Sequence, residues 1–273
     1  MNDAPLSVVL PVFNGERYVA KTIDSILAQS YANFEFLILD DGSYDCTPAI
    51  LAAYAQRDPR IRLLRHENRG VGLTLNRALT EARGRFIGLI GADDIATPDR
   101  FAKQIQYLEE HPQCVLVGSY LRIIDADDRP IGLRKYPTTD REIRKRMLLY
   151  NPVGGPCMAY RRDDAIAAGG YTSRFWTCED YDFFLRLAKR GKIANLPEPL
   201  VSYRLHQGAT KATSTLRQLR DTLATKRAAY HEYGYRQSLS ARAVGVAQQA
   251  MTYAPPRMIY WLFAKLAVGR EHE

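Results

Sequence analysis

Short β-rich runs alternate with helical patterns along residues 6–120, and this alternation constrains the fold more than any other feature of the sequence. The runs from Leu6 to Val12 and from Phe34 to Leu39 flank a stretch whose apolar residues recur at helical spacing, as at Val19 and Ile23. Strands that alternate with helices are typical of βαβ units on a parallel sheet. The sequence therefore predicts an α/β fold with a mostly parallel sheet flanked by helices.

The same patterns divide the chain into two parts. Further strands are predicted at 61–64, 86–90, 114–124 and near 200–205, and further helices at 73–82, 97–110, 162–168 and 179–190. Residues 151–156 form a predicted mobile loop, and the pattern after 212 is helical. We therefore expect a domain at 1–212, with halves at about 1–125 and 126–212, followed by a helical C-terminal region at 213–273.

Composition excludes several classes of protein. With 46% hydrophobic and 25% charged residues, the chain is expected to fold and not to be disordered. Its four cysteines are spread singly, which predicts neither a zinc knuckle nor a disulfide framework and favours a reducing compartment. The N-terminus lacks the pattern of a secretory signal, and the longest apolar stretch, 258–268, is shorter than the roughly 20 residues of a spanning helix. A cytoplasmic protein is expected.

Positive charge is concentrated in the last part of the chain. The net charge is +8, and residues 201–273 contribute +7 of it, from eleven Lys or Arg and four Asp or Glu. Nucleic acid, an anionic membrane surface, a phosphorylated substrate or a solvated helical face would each account for this tail. The aromatic residues between 255 and 268 suit an interfacial helix at the inner face of a membrane, but packing on the catalytic domain or homodimerisation is the favoured interpretation.

Polar residues follow three of the predicted strands at the point where each strand ends. The segments that carry them are Val12-Phe13-Asn14, Asp40-Asp41 and Asp93-Asp94. In open parallel sheets, ligands bind outside the carboxyl ends of the strands. These three segments are therefore the first candidates for a binding site.

The adjacent carboxylates Asp93 and Asp94 suggest a divalent cation. Two such charges about 4 Å apart repel by roughly 4 kcal/mol at an effective dielectric near 20, and a cation relieves that cost. Mg²⁺ and Mn²⁺ are usually held by one or two carboxylates together with substrate phosphates, as from a nucleoside diphosphate. The alternative is a simple turn in which one carboxylate caps the helix that begins at Thr97-Pro98.

Asp41 lies before Gly42-Ser43, where a carboxylate can accept from a base N–H while the glycine admits close approach. An Asx-turn is the equally simple alternative. Gly70-Val71-Gly72 does not complete a dinucleotide motif, because position 75 is Leu, and no P-loop motif is present.

A second acidic group, Glu179-Asp180-Tyr181-Asp182, opens a predicted helix. Carboxylates in a first helical turn are favoured by the macrodipole, which is the structural explanation. A carboxylate beside an acceptor hydroxyl is also what general-base catalysis requires, and the neighbouring Trp176 can stack on a sugar ring. Further along, Arg204 and His206 fall on one face of a strand end, where they can meet a diphosphate or a metal.

Taken together, these motifs resemble glycosyltransferase family 2, whose members have the GT-A type fold. The resemblance covers about residues 5–210 and rests on five segments in the family's order: 7–15, 34–43, 68–70 with Asn76, 92–94 before 97–100, and 179–182. Two positions depart from the pattern. Ala92 replaces the first Asp of the usual D-x-D, and Leu75 replaces a basic residue that often precedes the Asn76 position.

The resemblance implies a role for each matching residue. Asp180 would be the catalytic base, and Glu179 would position the acceptor or Asp180. The nucleotide would be bound by Pro11, Val12, Phe13, Asn14, Asp41, Asn68, Arg69 and Asp93. A divalent metal, Mn²⁺ or Mg²⁺, would be held by Asp94, Asp93 and His206, and the diphosphate or acceptor would meet Arg77, Trp176 and Arg204.

The implied function is inverting transfer of a sugar from a nucleotide-diphosphate sugar to a hydroxyl acceptor, for instance a lipid-linked glycan, in polysaccharide or glycolipid biosynthesis. Residues 1–125 would be the nucleotide-binding half and 126–212 the acceptor half; nucleic acid is not an expected partner. A sugar nucleotidyltransferase would need a glycine-rich basic loop after the first strand, which residues 14–17 do not provide. A non-catalytic sugar-binding or nucleotide-binding module would not explain the acidic strand ends.

Overall fold

The computed structural model describes residues 5–206 and 215–255. Within these residues, nine strands form one sheet: β1 (Leu6–Val12), β2 (Phe34–Asp40), β3 (Ile61–Arg65), β4 (Phe86–Leu89), β5 (Ile95–Ala96), β6 (Cys114–Ile124), β7 (Pro130–Arg134), β8 (Ala159–Arg161) and β9 (Lys192–Arg204). The helices in the same ranges are α1 (Val19–Leu27), α2 (Thr47–Arg57), α3 (Val71–Glu81), α4 (Arg100–Glu110), α5 (Asp140–Arg146), α6 (Arg162–Ala167), α7 (Glu179–Leu187), α8 (Thr215–His231) and α9 (Leu239–Met251).

The sheet has the strand order β3-β2-β1-β4-β8-β6-β9-β5, and β7 pairs with β6 outside this path. Strands β3, β2, β1 and β4 are parallel neighbours, as are β6 and β9. Strand β8 runs antiparallel between β4 and β6, and β5 and β7 are also antiparallel to their partners. The predicted α/β sheet flanked by helices is confirmed, but it is mixed. Its four-stranded parallel part, β3-β2-β1-β4, comes from the first half of the chain.

Burial on both faces explains the apolar runs of the central strands. Every residue of β2 is buried, and in β1 only one residue is partly exposed. Successive side chains point to opposite faces. Val8 therefore packs in one core cluster with Ile23 of α1, whereas Val9 packs in the other with Leu79 of α3 and Phe184 of α7. Helices cover both faces, as the parallel part of a sheet requires.

The helical C-terminal part packs on α7. Ala228 of α8 belongs to the core cluster that contains the apolar face of α7. After α8, the hydroxyl of Tyr233 donates to Asp182 Oδ1 at 2.6 Å, and Asp182 also forms an ion pair with Arg186 at 2.7 Å. Because Asp182 is fully buried, these partners replace the water it loses on folding. The predicted helix between 255 and 268 lies outside the described residues.

Several elements differ from the sequence-based prediction. Strands β5, β7 and β8 and helix α5 were not predicted, and β9 begins at Lys192 instead of near residue 200. A 3-10 turn, Gly155–Cys157, overlaps the end of the loop predicted at 151–156. None of the helices in the described ranges has the length and apolar character needed to cross a membrane.

Candidate active site

The carboxyl ends of β1 and β2 are joined directly by hydrogen bonds. Asp41 N donates to the carbonyl of Val12 at 2.8 Å, and Asn14 N donates to Ser43 Oγ at 2.9 Å. The side chain of Asn14 accepts in return from Tyr44 N at 3.0 Å. The backbone of Asn14 lies in the left-handed region, with φ of 50°, which Asn tolerates better than most residues. Two of the predicted strand-end segments therefore meet at one edge of the sheet.

Two exposed aromatic rings stand at this edge. Phe13 is 45% exposed, Tyr44 is 83% exposed, and their rings meet edge to face with centroids 5.8 Å apart. Large apolar rings left in water next to a strand end offer a stacking surface for a planar ligand such as a nucleotide base. Phe13 was predicted from the sequence but Tyr44 was not, although Tyr44 directly follows the Asp-Asp-Gly-Ser segment.

Asp41 anchors the loop that follows β3. Its Oδ1 accepts from Arg69 N at 2.9 Å and its Oδ2 from Gly70 N at 3.0 Å, while His66 Nε2 lies 3.0 Å from Oδ1. This is neither a free carboxylate nor an Asx-turn, since its partners lie at least 25 residues away along the chain. Asp41 thus holds Asn68 and Arg69 at the sheet edge, and both of these side chains are exposed. Contact of Asp41 itself with a nucleotide stays a prediction.

His66 was not predicted as a site residue, because a single histidine forms no sequence pattern. Burial, together with the charge of Arg69, lowers the pKa of His66. The Arg77 guanidinium donates to His66 Nδ1 at 2.8 Å, so the proton of the neutral ring resides on Nε2 and can be donated to Asp41. Arg77, predicted to meet a diphosphate, also donates to the carbonyl of Arg65 and supports this loop.

A shallow cavity of about 520 Å³ lies at the β2 and β3 ends, lined by Gly42, Arg65, His66, Glu67 and Asn68. Gly42 has a φ of 80°, and a Cβ there would lie 2.7 Å from Asn68 N. Only glycine permits this close approach of the two loops. One residue that lines the cavity, Asn68, was predicted to bind the nucleotide, and another, His66, contacts Asp41, which was also predicted to bind it.

At the end of β4, the structure brings together Asp93 and His206, two of the three predicted metal ligands. Asp93 Oδ2 lies 2.9 Å from His206 Nε2, and both side chains are partly exposed. The imidazole packs against the ring of Tyr18, with centroids 5.0 Å apart. A carboxylate oxygen and an imidazole nitrogen at one exposed point can both ligate a divalent cation.

Asp94 is placed differently from Asp93. It is 1% exposed, and its Oδ1 accepts from Arg204 N at 3.0 Å. Burial lowers the pKa of the nearby Arg100 to about 10, and the negative charge of Asp94 opposes this effect. Asp94 therefore stabilises buried groups below the sheet edge. Its role as a metal ligand stays a prediction.

Arg204 does not face open space either. It is fully buried, its Nε donates to the carbonyl of Asp93 at 2.8 Å, and its Nη1 forms an ion pair with Asp128 at 2.5 Å. The guanidinium also lies 4.4 Å from the centroid of the Tyr18 ring. In this structure the side chain fixes the backbone that carries Asp93, and contact of Arg204 with a diphosphate stays a prediction.

Asp180 and Glu179 open α7, as predicted. Asp180 Oδ1 accepts from the backbone N of Tyr181 at 2.7 Å, and its Oδ2 lies against Gly155, where an added Cβ would be 2.5 Å away. Glu179 lies beside Gly72 at the start of α3, where an added Cβ would be 3.7 Å from the Cβ of Glu179. The Asp180 carboxylate therefore lies against the 3-10 turn, whereas the Cβ of Glu179 lies beside the start of α3.

Trp176 connects the acidic end of α7 with the loop after β3. Its ring is 44% exposed and lies against Gly70, where an added Cβ would be 2.6 Å from a ring carbon. The guanidinium of Arg217, a residue of α8, lies 5.3 Å from the centroid of the Trp176 ring. Trp176 is therefore next to the predicted nucleotide loop and retains exposed ring surface.

The donor set for a metal is small. Among the described residues, no group of three or more His, Cys, Asp or Glu side chains is arranged to hold a metal ion. Asp93 and His206 supply two donors of suitable chemistry, which fits a cation whose remaining ligands come from substrate phosphates and water. The residues present therefore fit a metal that binds together with a nucleotide.

Comparison with known proteins gives one consistent family. The model of the family described as "Glycosyl transferase family 2" matches residues 7–168. An uncharacterised glycosyltransferase of Haemophilus influenzae is 34% identical over 227 residues, which cover 78% of this chain and 69% of that protein. The O-antigen biosynthesis glycosyltransferase WbnJ of Escherichia coli is 30% identical over 77% of this chain and 83% of its own length. The amylovoran biosynthesis glycosyltransferase AmsE of Erwinia amylovora is 29% identical over 72% and 75%.

Solved structures agree in fold. The mannosyltransferase PcManGT of Pyrobaculum calidifontis, in complex with GDP-Man and Mn²⁺, superposes with a TM-score of 0.66 at 17% identity, covering 97% of this chain and 76% of its own. TarS of S. aureus in complex with UDP superposes with a TM-score of 0.62 at 17% identity, covering 93% and 73%. At such identities the likeness establishes the GT-A type fold.

Proposed function

Because the chain belongs to glycosyl transferase family 2, we propose that it transfers a sugar from a nucleotide-diphosphate sugar to a hydroxyl acceptor, with inversion at the anomeric carbon. The catalytic part would be residues 1–212. Its first half would bind the nucleotide through the segments at the ends of β1, β2, β3 and β4, and its second half would supply the base and bind the acceptor.

The observation that carries this proposal is the contact between Asp180 and the turn at Gly155–Cys157. Asp180 Oδ2 lies against Gly155, and the carbonyl of Met158, directly after the turn, accepts from Leu89 N at the end of β4. The chain continues from there to Asp93, four residues after Leu89. A carboxylate from the second half is thereby linked to the sheet edge that carries the nucleotide motifs, which supports a reaction centre between the two halves.

In the proposed reaction, Asp180 takes the proton from the acceptor hydroxyl. The acceptor oxygen forms a bond to the anomeric carbon while the bond from that carbon to the diphosphate oxygen breaks, and the electron pair leaves with the nucleoside diphosphate. No covalent enzyme intermediate is formed, and the configuration inverts. Glu179, beside the start of α3, would orient the acceptor or Asp180.

The remaining residues would bind and orient the donor. Phe13 and Tyr44 offer exposed rings for stacking the base. Arg69 is exposed and held in place through its backbone by Asp41, so it is the best-placed of the predicted arginines to neutralise the diphosphate. Asp93 and His206 would hold Mn²⁺ or Mg²⁺, which when bound would stabilise the negative charge of the leaving diphosphate.

The acceptor is proposed to be a growing polysaccharide or glycolipid. Two relatives are named for O-antigen and amylovoran biosynthesis, which supports a glycan acceptor here. The exposed ring of Trp176 lies beside the predicted nucleotide loop, on the same segment as Glu179, where it could stack on a sugar unit.

Nucleotide selectivity is the first experimental test. Thermal unfolding of the full chain is measured with a panel of nucleoside diphosphates, with and without Mn²⁺, because a ligand that binds only the folded state raises the melting temperature. We expect one nucleotide to stabilise selectively and Mn²⁺ to increase the effect. Sugar nucleotides of that base are then incubated with glycan acceptors, and NMR determines the anomeric configuration of the product. Retention would exclude the inverting mechanism, and the absence of any nucleotide-dependent stabilisation would contradict the function.

A further inference from the structure

One face of α9 is apolar and exposed to solvent. Leu239 is 83% exposed, Val246 71% and Tyr253, just after the helix, 86%. Ala243 and Ala250, both exposed, lie between them on the same face, because the spacings of four and three residues alternate. The result is an apolar stripe about 20 Å long at the surface of the C-terminal region. We call these five residues the α9 stripe.

The charged residues between Tyr233 and the end of α9 are all basic. Arg236 and Arg242 are exposed, and the sequence from Tyr233 to Arg270 contains no Asp or Glu. Arg227 of α8 lies beside α9, since its Nη2 donates to Gln249 Oε1 at 3.1 Å, and it is also exposed. An apolar stripe bordered by basic side chains is complementary to an anionic lipid surface, where acyl chains meet negative headgroups.

A second copy of the chain fits this surface less well. A stable interface buries roughly 800 Å² on each partner, and five side chains, two of them Ala, fall well short of that area. Self-association would also bring Arg242 and Arg236 towards like charges, with no acidic residue on α9 to pair with them. Tyr253, with an apolar ring and a polar hydroxyl, suits a membrane interface, where each part meets its preferred solvent.

We propose that α9 is a peripheral membrane-binding helix, which inserts the α9 stripe into the headgroup region of an anionic bilayer while Arg227, Arg236 and Arg242 contact phosphate groups. The helix remains attached to the catalytic part through α8, where Lys226 Nζ donates to Gln248 Oε1 at 2.7 Å. Membrane binding by α9 does not depend on the transfer reaction, so either proposal can be refuted while the other stands.

The test is flotation of the full chain with vesicles of phosphatidylcholine alone and of phosphatidylcholine mixed with phosphatidylglycerol. We expect binding to the anionic vesicles that weakens with added salt. The triple variant Leu239→Ser, Val246→Ser, Tyr253→Ser should lower partitioning on the order of a hundredfold. Its matched control, Ile131→Ser with Ile166→Ser, removes exposed apolar side chains elsewhere and should bind as the parent does.

Charge is tested separately. Arg236→Gln with Arg242→Gln should weaken binding about fivefold for each charge removed, whereas Arg236→Lys with Arg242→Lys should retain it. Equal binding to neutral and anionic vesicles, or no binding, would overturn the proposal. A triple variant that floats normally would also overturn it. If that variant instead converts a dimer into a monomer in sedimentation velocity, the stripe is a contact with a second copy; if it lowers the melting temperature, the stripe packs within the chain.

Discussion

Replacement of Gly155 by Ala would move one carboxylate. The three atoms nearest to a Cβ at this position all belong to Asp180, with Oδ2 at 2.5 Å and the next two at 3.3 and 3.4 Å. Ordinary contact begins near 3.4 Å, so Oδ2 has to shift by about 0.9 Å. The side chain of Asp180 can rotate, and we therefore expect the fold to remain intact while the carboxylate leaves its position.

The expected loss of reaction rate follows from the precise positioning that a general base needs. A displacement of about 1 Å at a reacting group lowers the rate on the order of 10²-fold. We therefore expect Gly155→Ala to lose about two orders of magnitude in the rate of nucleoside diphosphate release in the presence of acceptor. Its affinity for the nucleotide should equal that of the parent, because the substitution does not touch the residues at the ends of β1 and β2.

The control is Gly154→Ala in the same turn, where the added Cβ would meet Leu121, Cys157 and Tyr136 instead of Asp180. It reports the effect of disturbing the turn alone. Combining Gly155→Ala with Asp180→Asn should cost no more activity than Asp180→Asn, since both act on one group. The reasoning would be refuted if the activity losses of the two single variants multiplied in the double variant. It would also be refuted if Gly155→Ala kept the turnover of the parent.

Two further predictions concern the buried and exposed charges. In calorimetry, Asp93→Ala should abolish the effect of Mn²⁺ on nucleotide affinity, and its melting temperature should equal that of the parent. Asp94→Ala should instead destabilise the fold by about 1–3 kcal/mol, because it leaves the buried backbone N of Arg204 unpaired, and an Asp94→Ala variant as stable as the parent would contradict this. Burial lowers the pKa of Lys226 to about 8, below its unfolded value near 10.4, so the unfolded chain binds more protons between these pH values. The free energy of unfolding of the parent, relative to Lys226→Met in denaturant titrations, should therefore rise with pH in this window by at most about 3 kcal/mol, and a flat difference would refute the shift.

The central strands could be predicted because their residues carry the signal locally. Strands β1 and β6 have the predicted bounds, since each is an apolar, β-rich run that ends in polar residues. The predicted ends of β2 and β4 likewise identified the segments around Asp41 and Asp93, which the sheet brings to one edge. This part of the site follows from the rule that parallel strands present their carboxyl ends together.

Strand β9 was mostly missed because Pro197 and Pro199 interrupt it. Proline donates no hydrogen bond to a sheet, so its presence argues against an inner strand. The structure accommodates both at an irregularity: Ser119 pairs with Leu196, but the next residue of β6, Tyr120, pairs with Pro199. A bulge of this kind depends on the partner strand and leaves no pattern in the sequence.

Contacts between distant segments account for the rest of the site. The burial of Asp94 and Arg204 depends on pairing across 110 residues, and the contact of Asp180 with Gly155 depends on the packing of α7 against a loop. Residue type and spacing identify these side chains as candidates. Only the tertiary structure distinguishes those that face the sheet edge, such as Asp93, from those that support it.

The assignment of Asp180 as the base is tested most directly by comparing Asp180→Asn and Glu179→Gln in acceptor-dependent turnover. Asn keeps the size of Asp but cannot take a proton. Asp180→Asn should therefore bind nucleotide and Mn²⁺ as the parent does and lose roughly 10² to 10⁴ in rate, the usual contribution of a positioned base. Glu179→Gln should lose less. Near-parental turnover of Asp180→Asn with an inactive Glu179→Gln would exchange the two roles, and activity in both variants would place the base elsewhere.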